Sequence, residues 1–372
     1  MASETAPGVR VGLVGTSGWA EFVYLQTLRD APDGRIVSLA GRNQQRLVEL
    51  AEEYGITQTF ADWRAMIHSG EIDAIIVATP DELHHDIVCE AAAAGLPIMC
   101  EKPLAMNADD SASMLEAVTH NHLANNVMFT WRFQPAAQFL KNLVESGTIG
   151  TPIQSDFQFL MGYARDSQYH WRLDADHGTG SLGDLGVHVI DFAQWLLSPI
   201  ASVSASLHNA YNRVTADGVP VAPTNDSAVM TVAFEDGSHG VLTSSLVTEL
   251  GDRFIVFRAS VVGSAGTLEY ELIGDGEGKG TRVHLSRAGH PVEHLEIPDS
   301  FRGGVAADDL WGHLMSHCVG ARQFVRNVRE GSQSGPDFTD GHRAQLVIDA
   351  AFESHREGRR VSIRPAAHST SD

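Results

Sequence analysis

The chain has 372 residues, a length that predicts about two domains rather than one. Hydrophobic residues make up 43 % and charged residues 20 %, as in globular proteins, and no apolar run reaches the roughly 18 residues of a membrane span. The formal net charge of −21 repels nucleic acid and anionic lipid, so neither is an expected partner. The polar start, Met1–Gly8, lacks the features of a signal peptide, and the three cysteines match neither a disulfide framework nor a zinc motif. We expect a cytoplasmic protein with a frayed N-terminal tail.

The first third of the chain alternates short apolar runs with segments of helical periodicity. Strands are predicted at Val9–Val14, Arg35–Ala40, Ile72–Ala78, Pro97–Cys100 and Asn126–Phe129. Helices are predicted at Trp19–Asp30, Asn43–Tyr54, Asp62–Ser69, Leu83–Ala94 and Asn107–His122. Because the strands are apolar throughout, they are typical of a parallel sheet that is covered by helices on both faces. Residues 1–130 are therefore predicted to form an α/β domain with a doubly wound parallel sheet.

After about residue 130 the pattern changes to consecutive strands with hairpin turns. The predicted strands are Ile153–Met161, Ser227–Phe234, Gly240–Thr248, Phe254–Val262, Thr267–Leu272 and Arg360–Ile363. The predicted helices are Pro135–Glu145, one that starts near Gly183, and a last one from Gly341 to Glu357. This order indicates an α+β domain, residues 131–372, with a large, mostly antiparallel sheet.

A turn rich in small residues, Gly15–Ala20, follows the first predicted strand and opens the first predicted helix. Dinucleotide-binding folds place small residues there so that the backbone approaches the pyrophosphate at the helix N-terminus. Gly15 and Ala20 match the usual G-x-G-x-x-G/A pattern, but Ser17 replaces the middle glycine. The expected cofactor contacts of this turn are Gly15, Thr16, Ser17, Gly18, Trp19 and Ala20. The alternative is a tight strand–helix turn that binds no ligand.

The end of the second predicted strand sets the choice of cofactor in such a fold. NAD sites usually have an acidic residue there, whereas this strand is followed by Gly41 and Arg42. The guanidinium of Arg42 could pair with a ribose 2′-phosphate, which favours NADP over NAD. The alternative is that Arg42 is a solvated residue at the start of a helix.

Two further motifs carry groups that can move a proton. Glu101-Lys102-Pro103 directly follows a buried strand, and ligands of doubly wound sheets bind at the carboxyl ends of strands. Asp184, His188 and Asp191 follow a glycine-rich loop with the spacing of one helix face. A histidine between two carboxylates is suited to act as a general base, with Asp191 as the expected partner of its ring. The alternative is a helix-capping Asp184 and a histidine of the core.

Together these motifs resemble the glucose–fructose oxidoreductase / inositol dehydrogenase (Gfo/Idh/MocA) family. The resemblance rests on Gly15–Ala20, Thr79-Pro80, Glu101-Lys102-Pro103, Asp184-x-x-x-His188, Trp131-Arg132-Phe133-x-Pro135, Tyr169-His170-Trp171-Arg172 and Asp340-Gly341. It implies a Rossmann domain in residues 1–130, and in residues 131–372 a domain that binds substrate and oligomerises through its open sheet. It also implies that Lys102, Asp184 and His188 form the catalytic set. Further expected cofactor contacts are Arg42, Thr79, Pro80, His84, Glu101 and Lys102, and the expected substrate contacts are Arg132, Tyr163, Trp171, Arg172, Asp184 and His188.

The expected function is transfer of a hydride between NAD or NADP and a secondary hydroxyl or ketone of a sugar, glycoside or inositol. Chemistry is expected in the crevice between the domains of a homo-oligomer, a dimer or a tetramer. One alternative is an enzyme that cleaves glycosides through transient oxidation with recycled cofactor, and another is a non-catalytic dinucleotide-binding sensor or scaffold. No metal is expected, because the pairs His84-His85 and His120-x-His122 lack partnering carboxylates.

Overall fold

A computed structural model describes residues 8–275, 280–302 and 318–363. Most of the predicted tail, Met1–Gly8, lies outside the described residues. Within them the chain forms two compact units. The first contains residues 8–105, 109–130 and 318–342, and the second contains residues 106–108, 131–275, 280–302 and 343–363.

The first unit is built on a six-stranded sheet whose paired strands all run parallel. Its strands are β1 (Val9–Val14), β2 (Gly34–Ala40), β3 (Gln58–Phe60), β4 (Ala74–Val77), β5 (Ile98–Cys100) and β6 (Asn125–Val127). The strand order is β3-β2-β1-β4-β5-β6, so the chain reverses its direction of travel across the sheet between β3 and β4. The carboxyl ends of β1 and β4 flank this switch point, where doubly wound sheets bind ligands.

Helices connect the strands of the first unit. They are α1 in three consecutive parts (Gly18–Ala20, a π-helical turn Glu21–Leu25, and Gln26–Leu28), α2 (Gln44–Tyr54), α3 (Trp63–Ile67), α4 (His84–Ala93, after a 3₁₀ turn Asp81–Leu83) and α5 (Ala108–His120). The alternation of strand and helix confirms the predicted parallel α/β class. Among the six strands, β3 was missed, because this mostly exposed three-residue strand has no apolar run.

The second unit is built on a nine-stranded mixed sheet. Its strands are β7 (Pro152–Met161), β8 (Ile200–His208), β9 (Ser227–Phe234), β10 (His239–Ser245), β11 (Arg253–Gly263), β12 (Thr267–Asp275), β13 (Thr281–Ser286), β14 (Glu293–His294) and β15 (Val361–Ser362). The order is β14-β13-β12-β11-β7-β10-β9-β8-β15, and among these neighbours only β7 and β10 are parallel. The predicted large, mostly antiparallel sheet is thus confirmed.

Helices α6 (Pro135–Glu145) and α7 (Val187–Leu196) pack on this sheet, and a short helix α8 (Asp299–Arg302) packs on α6. Between α7 and the sheet lies an aromatic core. Phe192 of α7 contacts Phe157, Phe257 and Tyr270 with ring centroids 5.1–6.2 Å apart. Each of these four rings is buried. Aromatic pairs at this spacing add to the hydrophobic stabilisation, so the rings hold α7 firmly on the sheet.

Part of the chain beyond residue 130 belongs to the first unit. Helix α9 (Val319–Glu330) lies late in the chain but packs in the first unit. Its Phe324 and Val325 belong to the same buried cluster as Val9 and Val11 of β1. The last helix, α10 (Phe338–Glu357), continues from the first unit into the second at residue 343. In the described ranges, no helix is long and apolar enough to cross a membrane.

Candidate active site

The turn between β1 and α1 shows why small residues stand there. Gly15 has φ +130°, and a Cβ at this position would overlap the carbonyl oxygen of Ala78. Only glycine is tolerated at such a close approach of two backbone segments. Ser17 caps α1, since its hydroxyl accepts a hydrogen bond from the amide of Ala20 at 3.1 Å. The serine that departs from the glycine pattern therefore has a local structural role.

A cavity of about 640 Å³ opens at the carboxyl ends of β1, β2 and β4. Six of the predicted cofactor contacts line it: Gly15, Thr16, Ser17, Arg42, Thr79 and Pro80. Gly41 also lines it and has no room for a side chain, because a Cβ would lie 2.6 Å from Cγ2 of Thr16. This volume is within the range of ligand pockets, and the donors and small residues fit a dinucleotide.

An acidic residue at this cavity was not foreseen. Asp62 lines it from the loop after β3, together with Trp63, and its carboxylate caps α3 by accepting from the amide of Arg64 at 3.0 Å. Arg42 is exposed, and no ion pair involves it among the described residues. The sequence signal for Asp62 is weak, because β3 is too short to mark the position.

Two of the predicted cofactor contacts are buried instead. The ring of His84 has no exposed surface, and its nitrogens lie 3.0 Å from the carbonyl oxygen of Pro103 and 3.1 Å from that of Thr79. Ala20 is also fully buried. Burial lowers the pKa of His84. The ring of His84 ties the turn after β4 to the turn after Lys102, and its contact with the cofactor stays a prediction.

The carboxylate of Glu101 holds the turn at the end of β5. Its Oε1 accepts hydrogen bonds from the indole of Trp19 at 2.6 Å and from the hydroxyl of Tyr24 at 2.7 Å. Its Oε2 accepts from the amide of Lys102 at 3.2 Å. Glu101 is buried and Lys102 is half-buried. Trp19 and Glu101, both predicted cofactor contacts, thus bind each other.

In the second unit, Asp184 has a polar partner on each carboxylate oxygen. Tyr163 donates to its Oδ2 at 2.6 Å, and Nε of Arg172 donates to its Oδ1 at 3.1 Å. Asp184 lies in a π-helical turn, Leu182–Gly186, that precedes α7. Desolvation and the adjacent Asp184 raise the pKa of Tyr163 well above its usual value, so its hydroxyl stays a donor. The structure therefore brings Tyr163, Arg172 and Asp184 together, and their contact with substrate stays a prediction.

His188 lies in the first turn of α7 and is buried among aromatic rings. Its imidazole lies 6.1 Å from the ring of Trp131 and 5.8 Å from that of Phe159, measured between centroids. Trp171 begins a 3₁₀ turn, and the guanidinium of Arg172 lies 4.3 Å from the centroid of its ring. Aromatic rings therefore pack around the His188 imidazole. A general base must be held in position, and this role of His188 stays a prediction.

Arg132 has a different environment from the predicted substrate contact. Its guanidinium forms a two-point ion pair with Asp191, with Nε to Oδ2 at 2.8 Å and a second bond from Nη2 to Oδ1. Both side chains are buried. The structure thus places Arg132 in a buried ion pair, and its contact with substrate stays a prediction. The prediction that Asp191 orients the His188 ring stays a prediction.

Asn225 is a residue that the sequence analysis missed. Its Oδ1 accepts from the amide of Leu182 at 2.9 Å, its Nδ2 donates to the carbonyl of Thr179 at 2.9 Å, and its own carbonyl accepts from Ser181 at 2.8 Å. Gly180, at φ +74°, has no room for a Cβ beside it. Asn225 thereby fixes the loop that leads to Asp184. No periodic pattern marks this residue, which lies 41 positions further along the chain than Asp184.

In the part of the chain that the structure describes, no cluster of three His, Cys, Asp or Glu side chains could hold a metal.

Comparison with known proteins identifies both units. Residues 9–129 match the family model described as the oxidoreductase family, NAD-binding Rossmann fold, and residues 137–269 match that of the GFO/IDH/MocA C-terminal domain.

Two curated relatives are similar over most of their length. The chain is 27 % identical over 343 residues to levoglucosan dehydrogenase of Pseudarthrobacter phenanthrenivorans. The matched region covers 85 % of this chain and 86 % of that enzyme. The chain is 27 % identical over 362 residues to scyllo-inositol 2-dehydrogenase (NAD(+)) of Bacillus subtilis, with 95 % and 96 % covered. A solved levoglucosan dehydrogenase in complex with NADH and levoglucosan has the same fold, with a TM-score of 0.85 at 24 % identity over 96 % of this chain and all of that one. With both family models matched, the chain belongs to the GFO/IDH/MocA family of oxidoreductases.

Proposed function

We propose that the protein is a dehydrogenase that oxidises a secondary hydroxyl of a neutral sugar, glycoside or cyclitol with a nicotinamide dinucleotide. The observation that carries the proposal is the group around Asp184, in which Tyr163 and Arg172 hold a carboxylate within one turn of His188. Such a carboxylate can accept a hydrogen bond from a substrate hydroxyl while a histidine removes a proton. The named relatives are dehydrogenases, which does not favour a glycoside-cleaving enzyme or a sensor.

Each catalytic residue has a proposed task. His188 accepts the hydroxyl proton, Asp184 holds the substrate by a hydrogen bond, and Lys102 stabilises or relays the proton. When bound, the dinucleotide supplies the acceptor for the hydride. Trp171 offers an apolar face to a sugar ring, and the charge on Arg172 is partly neutralised by Asp184. The half-buried position of Lys102 at the end of β5 supports its role, because ligands of doubly wound sheets bind at this edge.

We also propose a modest preference for NADP(H) over NAD(H). Arg42 supports it, since this exposed guanidinium lines the cavity next to Gly41, where a carboxylate would otherwise be expected. The scyllo-inositol 2-dehydrogenase of Bacillus subtilis is an NAD(+) enzyme and the solved levoglucosan dehydrogenase holds NADH, so the preference would distinguish this chain from them. The ratio of kcat/KM for the two cofactors tests it directly.

We propose that the protein is a cytoplasmic homo-oligomer, either a dimer or a tetramer. The resemblance to the family supports the oligomer, since it implies that the open sheet of the second unit, which has nine strands here, packs against another subunit. Light scattering coupled to size-exclusion chromatography measures the mass of the protein in solution. A monomer mass at all protein concentrations would contradict the proposed oligomer.

A substrate screen tests the proposed activity. Monosaccharides, anhydrosugars, glycosides and inositols are each incubated with NAD(+) and with NADP(+), and reduced cofactor is followed by absorbance. Accumulation of one reduced cofactor per oxidised substrate is expected. Cleavage of a glycoside without net reduction would instead identify the redox-assisted alternative. Absence of both reactions, with cofactor still bound, would favour the sensor.

A further inference from the structure

The turn that carries Lys102 is held by one buried carboxylate. Glu101 is 6 % exposed and accepts from Trp19 and Tyr24 on one oxygen and from the Lys102 amide on the other. Hydrogen bonds to a buried carboxylate are strong, because the carboxylate is no longer hydrated. Glu101 accepts two of them on a single oxygen. The orientation of the Glu101 carboxylate is therefore fixed by two side chains of α1.

Both donors reach the same oxygen because α1 is not a regular helix. Trp19 and Tyr24 are five residues apart, and five residues of an α-helix rotate by roughly 500°, which leaves the two side chains about 140° apart. In the π-helical turn Glu21–Leu25, the amide of Gln26 bonds instead to the carbonyl of Glu21. This i→i+5 bond places residues five apart about one turn apart. The turn thus brings Trp19 and Tyr24 onto the same side of α1.

The chemistry of the donors is suited to a permanent contact. The Tyr24 side chain is fully buried, and burial together with the charge of Glu101 raises the pKa of its hydroxyl well above the usual value. An indole N–H donates and never accepts, so Trp19 presents the same group at every pH. Trp19 is 39 % exposed and directly follows Gly18, the first residue of α1. Hydrogen bonds therefore run from α1 through Glu101 to the Lys102 backbone.

We infer that Glu101 is a positioning residue that fixes the Lys102 backbone, and that the π-helical turn of α1 serves to bring Trp19 and Tyr24 to its carboxylate. The inference rests on the proposed function, in which Lys102 handles a proton. It gives Trp19 and Glu101 a role in addition to the predicted cofactor contacts. π-Helical turns that interrupt α-helices are frequent at functional sites, and this one supplies the Tyr24 donor to the carboxylate that accepts from the Lys102 amide.

The lysine content of the chain offers a direct test. The sequence contains three lysines, Lys102, Lys141 and Lys279, so reductive ¹³C-methylation, which keeps the positive charge, gives a simple methyl NMR spectrum. The Lys102 resonance is identified by its loss in Lys102→Arg. Lys141 is an internal reference, because its ammonium pairs with Glu145 at 3.2 Å in the second unit. The measurement uses the full chain and needs neither cofactor nor substrate.

Trp19→Phe and Tyr24→Phe each remove one donor while keeping a ring. Both are expected to shift the Lys102 resonance and to leave that of Lys141 in place. In a Glu101→Met background, which has no side-chain oxygen to accept either bond, the two substitutions should shift the Lys102 resonance no further, because both act through that carboxylate. Tyr211→Phe is the control, since it removes a hydroxyl from a tyrosine of the second unit whose ring lies beside Arg213, and it should shift neither resonance.

Kinetics gives a second readout. We expect kcat of Trp19→Phe and Tyr24→Phe to fall by about tenfold or more with substrate KM unchanged, as misplacement of a reacting group predicts. A Lys102 resonance that does not move in either folded variant would overturn the inference. If Tyr24→Phe does not fold, Trp19→Phe decides, because its side chain is partly exposed. Failure of the proposed function is distinct from both results: the wild-type protein would reduce no cofactor, whereas the resonances would still respond.

Discussion

Replacement of Arg132 by alanine separates its structural role from the substrate contact that its motif suggests. The substitution leaves Asp191, whose side chain is 3 % exposed, without its two-point partner. Breaking a buried ion pair from one side costs about 3–5 kcal/mol, since an uncompensated charge stays buried. Water screens this pair little, because the Arg132 side chain is itself only 9 % exposed. Arg132→Ala is therefore expected to lower the free energy of unfolding by this amount, measured by urea denaturation.

Two further variants make the comparison sharp. Arg165→Ala removes an arginine from an exposed pair with Glu249 in the same unit, which should cost no more than about 1 kcal/mol. The double variant Arg132→Met/Asp191→Leu replaces both charges by apolar groups and should recover most of the loss. If Arg132→Ala kept its urea midpoint while the KM for substrate rose, the guanidinium would be a substrate contact and the structural interpretation would be refuted.

Three other predictions concern the site and its surroundings. Tyr163→Phe removes the hydroxyl that donates to Asp184 at 2.6 Å. It should lower kcat/KM for substrate by about 10- to 100-fold without changing cofactor affinity. An unchanged kcat/KM would show that Arg172 alone holds the carboxylate. Arg42→Ala should lower kcat/KM for NADP(H) by about tenfold more than for NAD(H), and an equal effect on both would remove the basis for the NADP preference. Burial lowers the pKa of His84 below its value in the unfolded chain. The neutral ring therefore contributes to stability above about pH 6.5, and this contribution is lost as the pH falls below that value. The urea midpoint of His84→Gln should depend less on pH in this window than that of the wild type.

The parallel sheet was predictable because its strands are marked by composition alone. β4 is buried at all four positions and reads as an uninterrupted apolar run, so neither its partner strands nor its helices are needed to recognise it. β8, in contrast, is rich in serine and alanine, and its conformation depends on pairing with β9, whose register the sequence does not display. Helix α9 was missed for a similar reason, since its apolar residues complete a core that begins with β1, more than 300 positions earlier.

The site was predictable in its parts and not in its connections. Asp184 and His188 stand out as a polar pattern after a glycine-rich loop, and the structure holds Asp184 between Tyr163 and Arg172. The partner of Arg132, 59 positions away, could not be read from a local motif. The π-helical turn of α1 was also hidden, because helical periodicity assumes 3.6 residues per turn along the whole segment.

The most direct test of the proposed function is the rate of cofactor reduction by His188→Ala beside the wild type. With the best substrate of the screen, the wild type should reduce one cofactor per hydroxyl oxidised. His188→Ala should bind the dinucleotide with unchanged affinity and lose roughly 10²- to 10⁴-fold in kcat, the usual contribution of a positioned acid–base group. A variant that keeps more than about a third of the wild-type kcat, far short of that loss, would contradict the assignment of His188 as the general base.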